Sequence, residues 1–276
     1  MCIKMDMNNY NLVDFQDIEF LIRPFDLIAF RGGDLVSDTI AKLETQHNGN
    51  GCFTHVGMVV TSDVLDVLDK SDKNLYIFES TCSYSIPLVQ AGVPDALTGR
   101  GALGVQIRKL KDVIPVYIEN EKTKISWCSL KNNPYSKKYS DTTDSLNERR
   151  NILKKVFSEF FLSYHGRLYE IDLFSLFSSL FSPFRKIRDM KDTAIEKLMV
   201  LLGQNPDCAP SGWQFCSELV ANAYIKLNIF DSTIDPRNIV PMDFFGSDGK
   251  INLPIYIKDW DINGSNKYKY NIEQTY

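Results

Sequence analysis

Three short runs of largely apolar residues lie in the first third of the chain: 26–30 (Asp-Leu-Ile-Ala-Phe), 56–60 (Val-Gly-Met-Val-Val) and 75–78 (Leu-Tyr-Ile-Phe). Each is bounded by turn formers and too brief for a stable helix, so each reads as a strand buried on one or both faces. Residues 104–108 form a fourth run, and Ile114–Ile118 a fifth that Pro115 demotes toward a sheet edge. Helical periodicity appears elsewhere in the chain. Ser145-Leu-Asn-Glu148 has capping-box spacing and is followed by Ile152, Leu153, Val156, Phe160 and Phe161, which predicts a helix over about 146–164. Gly32-Gly33-Asp34 opens another helix, with Leu35, Val36, Ile40 and Leu43 on one face, and 189–202 is a further helical region. Phe174, Phe177, Phe181 and Phe184 recur every three or four residues, an amphipathic pattern up to Pro183. After the turn Pro210-Ser-Gly212, Leu219, Val220, Ala223, Tyr224 and Leu227 share a face of a helix that begins near Cys216 and stops near Asn228.

No internal repeat or firm linker divides the 276 residues, and 44% hydrophobic content suffices for a sizeable core. The expectation is one domain over 1–276, with a mainly helical insertion at about 120–205 and a polar, Asn/Lys-rich tail from about 258. A split near residue 120 is the weaker alternative. With 31 Lys+Arg against 35 Asp+Glu, the net charge of -4 lacks the basic excess that a phosphate backbone requires, so no nucleic-acid partner is expected. No stretch approaches 18 apolar residues, which argues against a transmembrane segment, while the Phe174–Phe184 stripe leaves peripheral membrane contact open. The six cysteines include no C-x-x-C pair, and Met1–Asp6 lacks an apolar signal core; a reduced thiol set in the cytoplasm is expected.

Three histidines and six cysteines leave few assignments for thiol chemistry. Cys216 stands at a predicted helix N-terminus, where unpaired backbone N–H groups and the dipole favour thiolate over thiol. A thiolate hydrolase also needs an imidazole to hold the ion pair and protonate the leaving group. His47 lies in a Gly/Asn loop, and His165 lies at a helix end where capping accounts for it. His55 immediately precedes the 56–60 run, a rigid element able to fix a ring, and is the expected base. Glu79 follows the 75–78 run. Its carboxylate would reach the ring and fix the tautomer if the two strands are neighbours; a solvated strand end is the alternative. Gln214, two residues before Cys216, is a candidate oxyanion-hole donor.

Other sites fit less well. Aspartates 63, 66, 69 and 72 lack the alternate spacing and glycine of a calcium loop, and Cys52 with His55 finds no second pair for a metal. No phosphate loop or dinucleotide fingerprint is present, so neither metal nor cofactor is expected. Cys52 as nucleophile and a Cys208–Cys216 redox pair are the minor alternatives.

Five segments in order, Arg23–Phe30, Phe53–Val60, Tyr76–Ser80, Gly166–Asp172 and Phe215–Ala221, followed by Pro241–Ser247, resemble the permuted papain-like cysteine hydrolases. The resemblance is to the YiiX-like and poxvirus-type branch of the NlpC superfamily. It implies an α+β, circularly permuted papain-like fold with an antiparallel sheet packed on helices. It also implies a triad with Cys216 as nucleophile, His55 as base and Glu79 as orienter. The implied activity is that of a cysteine hydrolase or acyltransferase cleaving an amide or ester of a peptide, other amide or lipid substrate through a thioester. The poxvirus-type branch hints at a viral setting, in host cytoplasm or virion. In two places the sequence departs from the family's pattern. The segment 111–147 has no clear counterpart, and the usual Gly-Asp before the first strand is Phe25-Asp26. A protein that kept the fold, lost the chemistry and serves as an interaction module is the competing expectation.

Overall fold

The computed structural model describes residues 12–31, 53–81, 93–100, 104–118, 124–169, 213–214, 216–239, 241–245 and 255–257. Its strands are β1 (Leu12–Val13), β2 (Leu27–Arg31), β3 (His55–Val60), β4 (Tyr76–Thr81), β5 (Gly104–Lys109), β6 (Lys124–Cys128), β7 (Leu168–Tyr169), β8 (Trp213–Gln214) and β9 (Ile255–Ile257). The helices are α1 (Phe15–Ile18), α2 (Leu110–Ile118), α3 (Thr143–Tyr164) and α4 (Cys216–Lys226). Seven strands form one sheet in the order β1-β9-β6-β2-β3-β4-β5, while β7 and β8 make a separate short parallel pair. Neighbours from β9 through β5 are antiparallel, and β1 joins β9 in parallel. The protein is thus α+β.

The central strands are buried on both faces, and the two-residue period of the pleat sorts their side chains into two cores. Leu27, Ala29, Val56, Met58, Val60, Tyr76, Phe78, Val105 and Ile107 face α3 and α4. Ile28, Phe30, Val59 and Ile77 face the other way, toward Phe15 and Ile18 of α1 and Leu110, Val113 and Ile114 of α2. On the first face, Phe157 packs edge-on against both Phe25 and Phe78, each at 5.7 Å between ring centroids.

Helix α3 opens one residue after Thr142, whose hydroxyl accepts from the Ser145 backbone N–H at 3.2 Å. The cap is therefore Thr142 rather than Ser145, and the helix starts a turn earlier than the Ser145–Glu148 spacing suggests. The segment 114–118, expected as an edge strand, is the second half of α2. Read alone its apolar residues fit a strand, but with Leu110 and Val113 included they fall at helical intervals, and that face fills the second core. The expected insertion at about 120–205 is corrected at its start: β6 lies inside the sheet between β9 and β2, and α3 covers the sheet's first face. Ile125 and Trp127 join the second core, so 124–128 is drawn into the sheet by the same burial as its neighbours. The same sheet holds strands from both sides of residue 120, which removes the split considered there. The expected helices at 32–43 and 189–202, the Phe174–Phe184 stripe, the turn at 210–212 and the tail from 258 lie outside the described residues.

The departure at Phe25-Asp26 has a visible cost and a visible support. Phe25 takes φ 73, the left-handed region that glycine enters freely and a bulky residue does not. It is held there by its buried ring, by its N–H donating to Val59 O at 2.8 Å and by its carbonyl accepting from the Tyr224 hydroxyl at 2.7 Å. Asp26 beside it is buried and accepts from the Arg23 N–H, Trp127 Nε1, the Leu130 N–H and Asn133 Nδ2. Burial pushes its carboxyl up from the ordinary value, and these donors oppose the rise.

Gly57 sets the approach of β3 to β4. A Cβ there would lie 2.5 Å from Ile77 Cγ1 and 3.1 Å from Glu79 Cβ, closer than packed carbons come. Gly57→Ala is expected to cost about 1–3 kcal/mol by overpacking, outweighing the smaller entropic gain of losing a strand glycine. Urea denaturation checks it: the midpoint should fall with an unchanged slope, and an undiminished midpoint would contradict this strand contact.

Candidate active site

Cys216 is the first residue of α4 and is only 4% exposed. The helix is fixed at both ends. At its start the Ser217 hydroxyl donates to Ile239 O at 2.6 Å. At its end Asn228, at φ 56, lets the Ile229 N–H reach Tyr224 O at 2.8 Å and its own N–H reach Ile225 O at 3.0 Å, a Schellman closure. Leu219, Val220, Ala223 and Tyr224 are buried along the intervening face, so the cysteine is carried by a helix that has little freedom to shift.

His55 is the first residue of β3, at the end of the sheet, and its side chain is 14% exposed. Phe30, its register partner on β2, lies against the ring at 5.3 Å between centroids. Nε2 of His55 donates to Glu79 Oε2 at 2.6 Å. Strand alternation explains the meeting. Met58 pairs with Phe78, so Glu79 falls opposite Gly57 and is a diagonal neighbour of His55, within reach of long side chains. The side chain of Glu79 has no exposure at all. Its other oxygen, Oε1, accepts from Nε of Arg108 on β5 at 2.8 Å and also from Nη2.

With Nε2 committed to the carboxylate, Nδ1 is the ring nitrogen left for the sulfur. The two side chains are electrostatically paired, each shifting the titration of the other. Burial by itself pulls the imidazole's proton affinity down; the Cys216 charge, then the hydrogen bonds to Cys216 and Glu79, overcome it and hold His55 well above its ordinary pKa. For Cys216 burial pushes up, but the His55 charge and hydrogen bond, with the backbone N–H groups of Val56 and Ser217, bring the thiol below its ordinary value. Glu79 follows the same logic: burial raises it, and Arg108 with His55 lowers it overall. These shifts all act toward a thiolate beside an imidazolium that rests on a carboxylate.

The other sequence candidates are placed as follows. His165 is the C-cap residue of α3, its N–H bonding Phe161 O at 2.8 Å; its ring pairs with the buried Asp95 at 2.9 Å, a site separate from Cys216. Gln214 is on β8, two residues before Cys216, and its side chain lies outside the described residues, as do His47, Cys52 and Cys208. Asp69 and Asp72 accept from Ser71 and Asn74 in local turns, and Asp66 pairs with Lys154 at 2.9 Å. Sequence reasoning missed Arg108. Its signal was faint: Gln106 and Arg108 alternate with Val105 and Ile107 in a strand buried on both faces, which puts a charge where only a partner makes it tolerable.

Fold and site together define an α+β protein with a buried cysteine–histidine–carboxylate row at the end of an antiparallel sheet. No known family model matches the chain, and no curated protein matches its sequence. Among the described residues, no helix is long and apolar enough to cross a membrane.

The two shifts set a pH window. The lowered Cys216 pKa and the raised His55 pKa both extend the pH range over which thiolate and imidazolium coexist beyond that of the isolated groups. Iodoacetamide alkylation of Cys216, followed by peptide mass spectrometry, should have its midpoint below that of an ordinary thiol. His55→Ala should move the midpoint upward, toward or past the ordinary value. A midpoint indifferent to His55 would contradict the pair.

Proposed function

We propose that this protein is a cysteine hydrolase or acyltransferase of the permuted papain-like type, acting on an amide or ester bond. The observation that carries the reading is the 2.6 Å bond from His55 Nε2 to a buried Glu79, on an imidazole electrostatically paired with Cys216. Support for the permuted architecture comes from chain order: histidine and carboxylate on adjacent antiparallel strands precede a helix that opens with the cysteine.

In this mechanism the Cys216 thiolate attacks the carbonyl carbon, forming a C–S bond and placing negative charge on the carbonyl oxygen. The backbone N–H of Cys216, at the first position of α4, has no acceptor within its helix and is the natural donor to that oxygen. His55 then passes its proton to the leaving amine or alkoxide as the tetrahedral species collapses to a thioester. Neutral His55 next removes a proton from water, or from an acceptor hydroxyl or amine, which attacks the thioester and releases the thiolate. Glu79 keeps the ring in the correct tautomer throughout and stabilises its charged form.

Treatment with a nitrophenyl ester and intact-mass measurement tests the reading. The wild type should gain one acyl group on Cys216, Cys216→Ala none, and His55→Ala should acylate slower by about 100-fold or more, the usual worth of a positioned acid–base group. Undiminished acylation in Cys216→Ala would remove Cys216 as nucleophile.

A further inference from the structure

We propose that Arg108 is a positioning residue of this site, aiming Glu79 at His55 by occupying one carboxylate oxygen with two N–H groups. The inference rests on the reading of Cys216 and His55 as a working pair and adds a fourth member to it. An arginine facing a carboxylate commonly forms a fork on both oxygens. Here both contacts from Arg108, through Nε and Nη2, converge on Oε1, which leaves Oε2 free to accept from His55 at 2.6 Å.

The placement follows from register. Glu79 pairs with Gln106 and Ile77 with Arg108, so the guanidinium approaches the carboxylate diagonally across β4 and β5, as His55 does across β3 and β4. Arg108 is 4% exposed and Glu79 fully buried. A third polar group belongs to this cluster, since Tyr117 on α2 raises the guanidinium's proton affinity and its ring lies tilted against Phe30 at 4.4 Å between centroids. Phe30 in turn lies against His55, so the Tyr117 ring and the imidazole share Phe30 as a neighbour.

Two consequences bear on the chemistry. A buried carboxylate is driven toward its neutral form by desolvation, and the Arg108 charge is the largest influence opposing this at Glu79. The same charge makes Glu79 a weaker base, so the proton shared with His55 stays on the ring, where the leaving group needs it. Arginine, glutamate, histidine and cysteine then form a row of alternating sign, +, −, +, −, with no net charge to bury.

The test uses the full chain, iodoacetamide as probe, and the pH midpoint of Cys216 alkylation by peptide mass spectrometry. Arg108→Gln and Glu79→Gln should each raise the midpoint by about one pH unit or more, a tenfold loss of thiolate at a fixed pH. The double variant should be shifted no further than the larger single shift, because both substitutions disable the same carboxylate. Arg108→Lys, which keeps the charge but not the paired N–H contacts on Oε1, should fall between wild type and Arg108→Gln. Should Arg108→Gln fail to fold, Arg108→Lys and Tyr117→Phe serve in its place, each expected to shift the midpoint in the same direction by less. An unchanged midpoint in the folded Arg108 variants, or shifts of Arg108→Gln and Glu79→Gln that add in full, would overturn the proposal while the low wild-type midpoint upheld the thiolate. A wild-type midpoint at the ordinary thiol value would instead sink the underlying pair, and this inference with it.

Discussion

A carboxylate sealed from water, Glu79, carries a cation on each of its two oxygens, and much of the site geometry depends on that arrangement. Burying a lone carboxylate costs several kcal/mol. The cost is offset here only because Arg108 and His55 approach from strands on either side. The strand order β3-β4-β5, the diagonal register and the missing side chain at Gly57 all serve that approach. Without Glu79 the imidazole would have nothing to hold its Nε2 proton, and the pull that lowers Cys216 would weaken.

The sheet separates the members of the site before bringing them together. Alternation sends His55, Glu79 and Arg108 to the same face as Val59 and Ile77, under α2, whereas α4 packs on the opposite face through Leu219, Val220 and Ala223. They meet because His55 is the first residue of its strand and Cys216 the first of its helix, so both stand at an edge. An imidazole two residues further into β3 would lie buried beneath the second core. The Ser217 bond to Ile239 O anchors the start of the helix, and the Schellman closure at Asn228 with the Tyr224 bond to Phe25 O anchors its end.

What could be read from the sequence follows the range of the forces involved. Strands 27–31, 55–60, 76–81 and 104–109 are visible because burial on both faces leaves compact apolar runs. The strand 124–128 is hidden by Lys124 and Ser126, which interrupt its apolar residues, and the helix 110–118 is hidden by Pro115 and by the strand-like look of its last five residues taken without Leu110 and Val113. Cys216 and His55 are legible from local context alone, a helix start and a strand start. Glu79 becomes a partner only once β3 and β4 are known to pair, and Arg108 only once β5 is placed beside them. Both depend on nonlocal register, which hydrophobic period does not encode.

The central claim is that His55 rests as an imidazolium, charged by the cysteine on one side and held by the carboxylate on the other. Nitrogen-15 NMR of the His55 ring measures this directly. Both ring nitrogens should read as protonated at neutral pH in the wild type, and the ring should revert toward the neutral form when Cys216 is replaced by serine. A His55 ring that is neutral throughout the neutral range in the wild type, with a single protonated nitrogen, would contradict the account.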